Sequence, residues 1–316
     1  MKKTLISATL VSSILLILHA QPQSTARVAD KTGVQPPGKN EVSFRIQGDK
    51  RVVDSNGIPD HLVGHFPGRG NPNTISAQKY HREMPLNPKI ADKSVHGMGT
   101  DYGVAVNGVM FDPGTAEFWK NDRNSGWHYE AGTGKLDLGL DLSNGHVQPT
   151  GAYHYHAIPL ELLKKLNPDN KARPTHIGYA ADGFAIYARW DYADPKNAKS
   201  EVRVMRSSYK LKQGQRPGGP GGAYDGTFTE DFEYIAGSGD LDECGGRFAV
   251  TPENPEGIYH YLLTDDYPFI PRLYKGTPDP SFRKGPPGGG GGRGPGGRPQ
   301  GGPPGGGFPP PPFGQR

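Results

Sequence analysis

Two histidines in alternate positions carry the clearest chemistry of the chain, in the tetrad Tyr153-His154-Tyr155-His156. Side chains two apart in an extended strand point to one face, with Cα atoms about 6.5–7 Å apart. The spacing therefore predicts both imidazoles on one face and both tyrosines on the other. Two neutral imidazoles on one face can bind a single cation, at about 2.0–2.1 Å if the ion is zinc.

Two further histidines are predicted ligands. His146 lies eight residues before His154, and the segment between them contains a proline and a glycine that let the chain turn back. Residues 257–264 (GIYHYLLT) echo residues 151–158 (GAYHYHAI), which makes His260 the predicted fourth ligand. Four matches in eight positions do not establish a duplication, but they indicate two strands that present a histidine in the same way.

Carboxylates are expected around such a site, because metal-bound histidines usually donate their second N–H to a carboxylate or carbonyl. We predict this role for Asp141, which precedes the tetrad, and for Asp182, which follows it. Imidazole ligands suit zinc and copper. The expected cofactor is therefore a divalent metal ion, zinc or copper.

Other interpretations of the tetrad stay open. Tyrosine and histidine can pack at a half-buried sheet face with hydrogen-bonded tips, and histidine can do acid–base chemistry without a metal. At the level of function, one hypothesis is a metal-dependent enzyme of unknown substrate, since a bound water with a lowered pKa can hydrolyse an ester or amide. The alternative is a non-enzymatic envelope module that binds a ligand or partner through aromatic side chains, with the candidates Trp119, Trp127, Tyr187 and Trp190.

The elements that must position these residues are predicted to be mostly strands. The apolar runs are short and are bounded by Gly, Pro, Asn and Asp, which is typical of many strands joined by tight turns. We predict a mainly β fold, a sandwich or barrel-like packing of antiparallel sheets with few short helices. The predicted strands are 41–46, a hairpin over 103–111 around Asn107-Gly108, a second hairpin over 177–190 around Asp182-Gly183, 232–235, 247–250 and 257–263, and the one predicted helix is 160–166, after Pro159.

The two ends of the chain are predicted to lie outside this fold. Residues 1–20 combine Lys2 and Lys3 with an apolar run and a small residue at Ala20, which indicates a signal peptide. The predicted segments are a signal peptide (1–20), a disordered linker (21–40), a β domain (41–284) and a disordered Gly/Pro-rich tail (285–316), in which 25 of 32 residues are Gly or Pro. We therefore expect a secreted or periplasmic protein with no transmembrane segment after signal cleavage.

Charge and cysteine content limit the partners. The formal net charge is +4, but seven positive charges lie in residues 1–3 and 283–316, so residues 4–282 are slightly acidic. A basic patch for nucleic acid is therefore not expected, and the predicted partner is an unknown small molecule or envelope component. Cys244 is the single cysteine, so the chain cannot form an internal disulfide.

Five segments of the chain together carry a recognisable pattern: AEFW (116–119), GLDLSNGHVQPTGAYHYHAIP (139–159), IGYAADGFAIY (177–187), SSYKLKQGQRP (207–217) and YDGTFTEDFEYIAGSGDLDECGGRFAVTPENPEGIYHYLLTDDYPFIPR (224–272). In these segments the sequence resembles the YHYH-domain family of bacterial exported proteins. The resemblance covers much of the body, and the sequence departs from the family pattern at Ala185 and Gly245. It implies a shared domain and export, but no particular reaction.

Overall fold

The computed structural model describes residues 32–97 and 99–285. The predicted signal peptide, most of the predicted linker and nearly all of the Gly/Pro-rich tail lie outside these residues. Val34, which falls within the predicted linker, exchanges backbone hydrogen bonds of 2.8 and 2.9 Å with Val63. The folded region therefore begins before residue 41.

The described residues form a mainly β fold, as predicted, with one α-helix and three single-turn 3₁₀ helices. The strands are β1 (Val42–Gln47), β2 (Lys50–Ser55), β3 (Tyr80–Pro85), β4 (Val95–His96), β5 (Gly103–Ala105), β6 (Met110–Phe111), β7 (Gly145–Val147), β8 (Tyr153–Tyr155), β9 (His176–Ala180), β10 (Ala185–Ala188), β11 (Trp190–Tyr192), β12 (Val202–Val204), β13 (Tyr209–Leu211), β14 (Phe232–Tyr234), β15 (Gly246–Ala249), β16 (Ile258–Leu263) and β17 (Leu273–Tyr274). The helix is α1 (Leu160–Leu166), and the 3₁₀ turns are Trp119–Asn121, Thr229–Asp231 and Pro280–Phe282.

Local signals account for the elements that were predicted. The helix spans 160–166, and Pro159 precedes it as its N-cap. Both predicted hairpins form, as β5–β6 around Asn107-Gly108 and as β9–β10 around Asp182-Gly183. Gly108 and Gly183 have φ values of 81° and 90°, which residues with a side chain rarely adopt.

One sheet of eight strands dominates the fold, with the order β15-β16-β10-β9-β5-β6-β8-β7. The two halves of the sheet have the same connectivity, arranged in opposite order from the centre. In each half an inner hairpin, β5–β6 or β9–β10, pairs with an outer hairpin, β7–β8 or β15–β16. The sheet was predicted to be antiparallel, but β6 pairs with β8, and β10 with β16, in parallel. Parallel neighbours need a long crossover connection, which here comprises the residues between the two hairpins of each half.

Smaller sheets surround this one: β1-β2-β3, β11-β12, β13-β14 and β4-β17. Aromatic side chains fill the main core beside the large sheet; Tyr153, Tyr155 and Tyr261 are each 0% exposed. In the described residues no helix has both the length and the apolar character needed to cross a bilayer.

Candidate metal centre

Three imidazole rings converge at one edge of the large sheet. Nε2 of His156 lies 2.9 Å from Nε2 of His154 and 3.0 Å from Nε2 of His146. The ring centroids form a nearly equilateral triangle with sides of 4.6, 4.7 and 4.7 Å. The three rings thus present the same nitrogen to one point, which is the arrangement predicted from their spacing.

The β7–β8 hairpin positions all three rings. His146 and His154 are directly opposite each other in the antiparallel pair, where side chains on one face are about 4.5–5.5 Å apart. His156 follows β8 and is held by a 2.9 Å hydrogen bond from its backbone N–H to the Asn144 carbonyl. Because side chains alternate along the strand, Tyr153 and Tyr155 point into the core, so one short strand contributes to both the core and the site.

Backbone carbonyls fix the tautomers of two rings. Nδ1 of His146 lies 2.8 Å from the Leu138 carbonyl oxygen, and Nδ1 of His154 lies 3.3 Å from that of Ala152. A neutral imidazole has one N–H, and a nitrogen that faces a carbonyl must carry it. Nε2 of both rings is therefore an unprotonated acceptor with its lone pair directed at the third ring.

The rings are held neutral by burial. His154 and His156 are each 3% exposed, and His146 is half-buried. Burial is the main cause that lowers all three pKa values: that of His154 falls to about 3, that of His156 falls well below its usual value, and that of His146 is also lowered. At neutral pH the three side chains can therefore act as ligands without first losing a proton.

The donor set fits a metal ion. Two nitrogens bound at about 2.05 Å to one tetrahedral zinc ion lie about 3.3 Å apart, and the observed separations of 2.9 and 3.0 Å are close to this value. One N–H on Nε2 of His156 can pair with only one of the two facing lone pairs. Nδ1 of His156 is buried and has no hydrogen-bond partner in the described structure. A cation between the three nitrogens would satisfy the lone pairs.

Asp112 adds a carboxylate that was not among the predicted site residues. Its Oδ2 lies 4.0 Å from Nε2 of His154, and its side chain is 4% exposed. Oδ2 also accepts a hydrogen bond from Gln148 at 3.2 Å and forms an ion pair with Lys284. Asp112 follows β6, which pairs with β8 across a gap of about forty residues in sequence. Asp112 could have been predicted only if the parallel pairing of β6 and β8 had been known.

His260 does not lie at this centre. It belongs to β16, which is separated from β8 by four other strands; five strand spacings amount to about 24 Å. Its Nε2 lies 3.1 Å from Oδ2 of the buried Asp191. The echo between the two sequence segments correctly indicated two similar strands, but a local motif carries no information about which strands become neighbours.

The two predicted carboxylates, Asp141 and Asp182, lie in loops outside the strands, and each accepts a hydrogen bond from a buried tyrosine. Asp141 accepts hydrogen bonds from the Tyr153 hydroxyl at 2.8 Å and from three backbone N–H groups. Asp182 accepts from the Tyr261 hydroxyl and from the Gly276 N–H. Burial raises the pKa of Asp141, and it raises that of Asp182 to about 6. Their observed partners are therefore hydroxyls and backbone amides that anchor the hairpins.

Comparison with known proteins was made at the level of whole proteins, solved structures and family models. No curated protein and no solved structure matches the chain significantly. A family model described as "YHYH protein" matches residues 81–276, which include both hairpins of each half of the large sheet and the three converging histidines. Because the match covers more than half of the chain, this protein belongs to the YHYH family.

Proposed function

We propose that this protein binds one transition-metal ion, zinc or copper, through Nε2 of His146, His154 and His156. The observation that carries the proposal is the convergence of three neutral imidazoles whose Nε2 atoms lie 2.9–3.0 Å from their neighbour. Structural hydrogen bonding among the rings is a poorer account, because two of the three Nε2 atoms lack a proton to share. Metal-free acid–base catalysis is disfavoured because burial keeps the pKa of His154 at about 3.

The surroundings of the three nitrogens favour a reactive site over a closed one. Three protein ligands leave a fourth position, and a zinc ion so held lowers the pKa of a bound water to about 7. Asp112 is the neighbouring group that can accept a hydrogen bond or proton from a ligand at that position, and Lys284 and Gln148 hold its carboxylate in place. The reaction class that this arrangement supports is metal-assisted hydrolysis of an ester or amide.

The alternative, an envelope module with an aromatic binding surface, has less support. Tyr187 and Trp190 are buried, with exposed fractions of 1% and 8%, so they cannot stack on a ligand. Trp119 and Trp127 are half-buried, and the Trp127 ring packs edge-to-face against Phe228 at 5.5 Å. Only two of the four predicted aromatic side chains are therefore partly accessible to a ligand.

The decisive experiment is elemental analysis of tag-free protein. We expect about one equivalent of zinc or copper in the wild type and none in His154→Ala/His156→Ala. A matched control is His81→Ala/His96→Ala, which removes two exposed imidazoles and should leave the metal content unchanged. His146→Gln tests the half-buried ligand with less risk to folding. Equal metal content in wild type and both ligand variants would contradict the proposal.

A chelator experiment gives an independent readout. An ion that binds only the folded state at a thousand times its Kd adds about 4 kcal/mol to the free energy of unfolding. EDTA should therefore lower the Tm of the wild type and of His81→Ala/His96→Ala but not that of His154→Ala/His156→Ala. A Tm that is the same with and without chelator in all three proteins would count against a resident ion.

The proposal includes export to the periplasm or medium, which rests on the charge and apolar pattern of residues 1–20. An exported protein would take up its metal ion outside the cytoplasm. N-terminal sequencing of the mature protein tests this. We expect the mature chain to begin after Ala20, and a chain recovered from the cytoplasm with Met1 intact would contradict it.

A further inference from the structure

The hairpins β7–β8 and β15–β16 are built alike in atomic detail. One oxygen of Asp141 accepts hydrogen bonds from the backbone N–H groups two and four residues later, at 2.8 and 3.1 Å. Asp242 does the same at 3.0 and 3.1 Å. Tyr153 donates its hydroxyl to Asp141 at 2.8 Å, and Tyr259 donates its hydroxyl to Asp242 at 2.9 Å.

The likeness extends over the large sheet. β5 and β9 meet in the middle with the register Gly103↔Ala180, Val104↔Tyr179 and Ala105↔Gly178, which is symmetric about its central pair. Each hairpin tip holds a tyrosine of the other hairpin in its half: Asn107 binds the Tyr155 hydroxyl, and Asp182 binds the Tyr261 hydroxyl. The sheet therefore consists of two copies of one four-strand unit related by a pseudo-twofold axis between β5 and β9.

This symmetry assigns a counterpart to each residue of the metal centre. In the first unit His146 lies opposite His154, and in the second unit Arg247 lies opposite His260. The position two residues after the strand histidine is His156 in the first unit and Leu262 in the second. One of three imidazoles is thus retained in the second unit, one is replaced by a guanidinium and one by an apolar side chain.

A buried carboxylate also lies beside the histidine of the second unit, and it comes from β11, outside the eight-stranded sheet. Oδ2 of Asp191 lies 3.1 Å from Nε2 of His260 and 3.6 Å from Nε of Arg247. In the first unit, Oδ2 of Asp112 lies 4.0 Å from Nε2 of His154. The side chains of His260, Asp191 and Arg247 are 0%, 1% and 10% exposed. An ionised carboxylate that is buried is stabilised by a nearby cation, and Arg247 is a charged group within ion-pair distance of Asp191.

We propose that the His260–Asp191–Arg247 cluster is a latent counterpart of the three-histidine centre, in which Arg247 stands at the position of His146 and its guanidinium supplies the positive charge beside the carboxylate. The inference rests on the proposed function in so far as the first centre binds metal. Its consequence is that placing imidazoles at positions 247 and 262 gives this unit a three-histidine site for zinc or another divalent transition metal, with Asp191 next to it.

The test is the metal content of Arg247→His/Leu262→His with zinc as the probe. We expect about two equivalents of zinc, against one in the wild type. In a His154→Ala/His156→Ala background we expect one equivalent, against none. The matched control Arg247→Gln/Leu262→Gln has side chains of similar size and polarity without imidazoles, and it should bind no additional zinc. A folded double variant that binds no more zinc than this control would overturn the inference.

The outcomes separate the two proposals. If the wild type binds no zinc or copper, the proposed function fails, whatever the variants do. If the wild type binds one equivalent and the double variant also binds one, only the latent site fails.

A milder variant covers the case in which the double variant does not fold. Arg247→His alone leaves two imidazoles and the Asp191 carboxylate, which together are a suitable set of three zinc ligands. Excess zinc should raise the Tm of Arg247→His by at least about 3 °C more than that of Arg247→Gln. Equal shifts in the two proteins would overturn the inference.

Discussion

Replacing Asp182 by asparagine should remove a pH dependence of stability that arises at one hairpin tip. Asp182 is 1% exposed, and burial is the main cause that raises the pKa of its carboxyl from 3.8 to about 6. The hydrogen bonds from Tyr261 and Gly276 lower this pKa and so offset part of the effect of burial. Its counterpart in the first unit is an uncharged residue, Asn107, which donates to the Tyr155 hydroxyl at 2.9 Å.

The size of the effect follows from the pKa difference. A carboxyl whose folded-state pKa is raised contributes stability that is fully present below pH 3.8 and is lost as the pH rises through 6. A difference of about two in pKa corresponds to about 3 kcal/mol in the free energy of unfolding. Asp182→Asn has no charge to bury. Relative to the wild type, its free energy of unfolding should therefore increase by about 3 kcal/mol between pH 4 and pH 7.

The assay is urea unfolding followed by tryptophan fluorescence at several pH values between 4 and 7. The reverse substitution, Asn107→Asp, is the matched control, because it places a carboxylate in the equivalent buried position. Its free energy of unfolding should fall relative to the wild type as the pH rises. Parallel pH profiles for the wild type and Asp182→Asn would refute the reasoning.

Three further predictions concern single residues. Tyr153→Phe removes the hydroxyl donor of the buried Asp141 and should cost about 1–3 kcal/mol in urea unfolding; Tyr259→Phe, whose carboxylate acceptor is more exposed, should cost less. Cys244 is buried and its pKa is raised to about 12, so a thiol reagent such as DTNB should react with it only after unfolding. With chelator present, the wild type should lose stability as the pH falls from 6.5 towards 3, because burial lowers the pKa of His154 and the unfolded chain binds the proton first. His154→Gln should show a shallower loss over the same range.

The local part of the candidate metal centre could be predicted from the sequence. Alternation along a strand placed His154 and His156 on one face, and the intervening turn residues returned His146 to them. Side-chain alternation and hairpin geometry are properties of a few consecutive residues, so the sequence suffices for them. The same holds for α1 and for the two hairpins with Asn-Gly and Asp-Gly tips.

The remaining features depend on which strands become neighbours. Asp112 lies near the three imidazoles because β6 and β8 pair in parallel, and the local pattern of either strand does not indicate its partner. His260 lies elsewhere for the same reason. Asp141 was predicted beside the imidazoles, but its loop folds back under the strand, where Tyr153 projects. An acidic residue near a histidine in sequence can thus lie on either side of the strand.

The edge strands of the eight-stranded sheet, β7 and β15, have only three and four residues. A long edge strand can pair with another chain through its backbone groups, and short edge strands limit such pairing. Each edge strand also carries one side chain of a buried polar cluster: His146 on β7 and Arg247 on β15. An ion bound between the histidines would link β7 to β8, just as the ion pair between Arg247 and Asp191 links β15 to the protein interior. Losing that ion would therefore weaken the attachment of the first edge strand and leave that of the second unchanged.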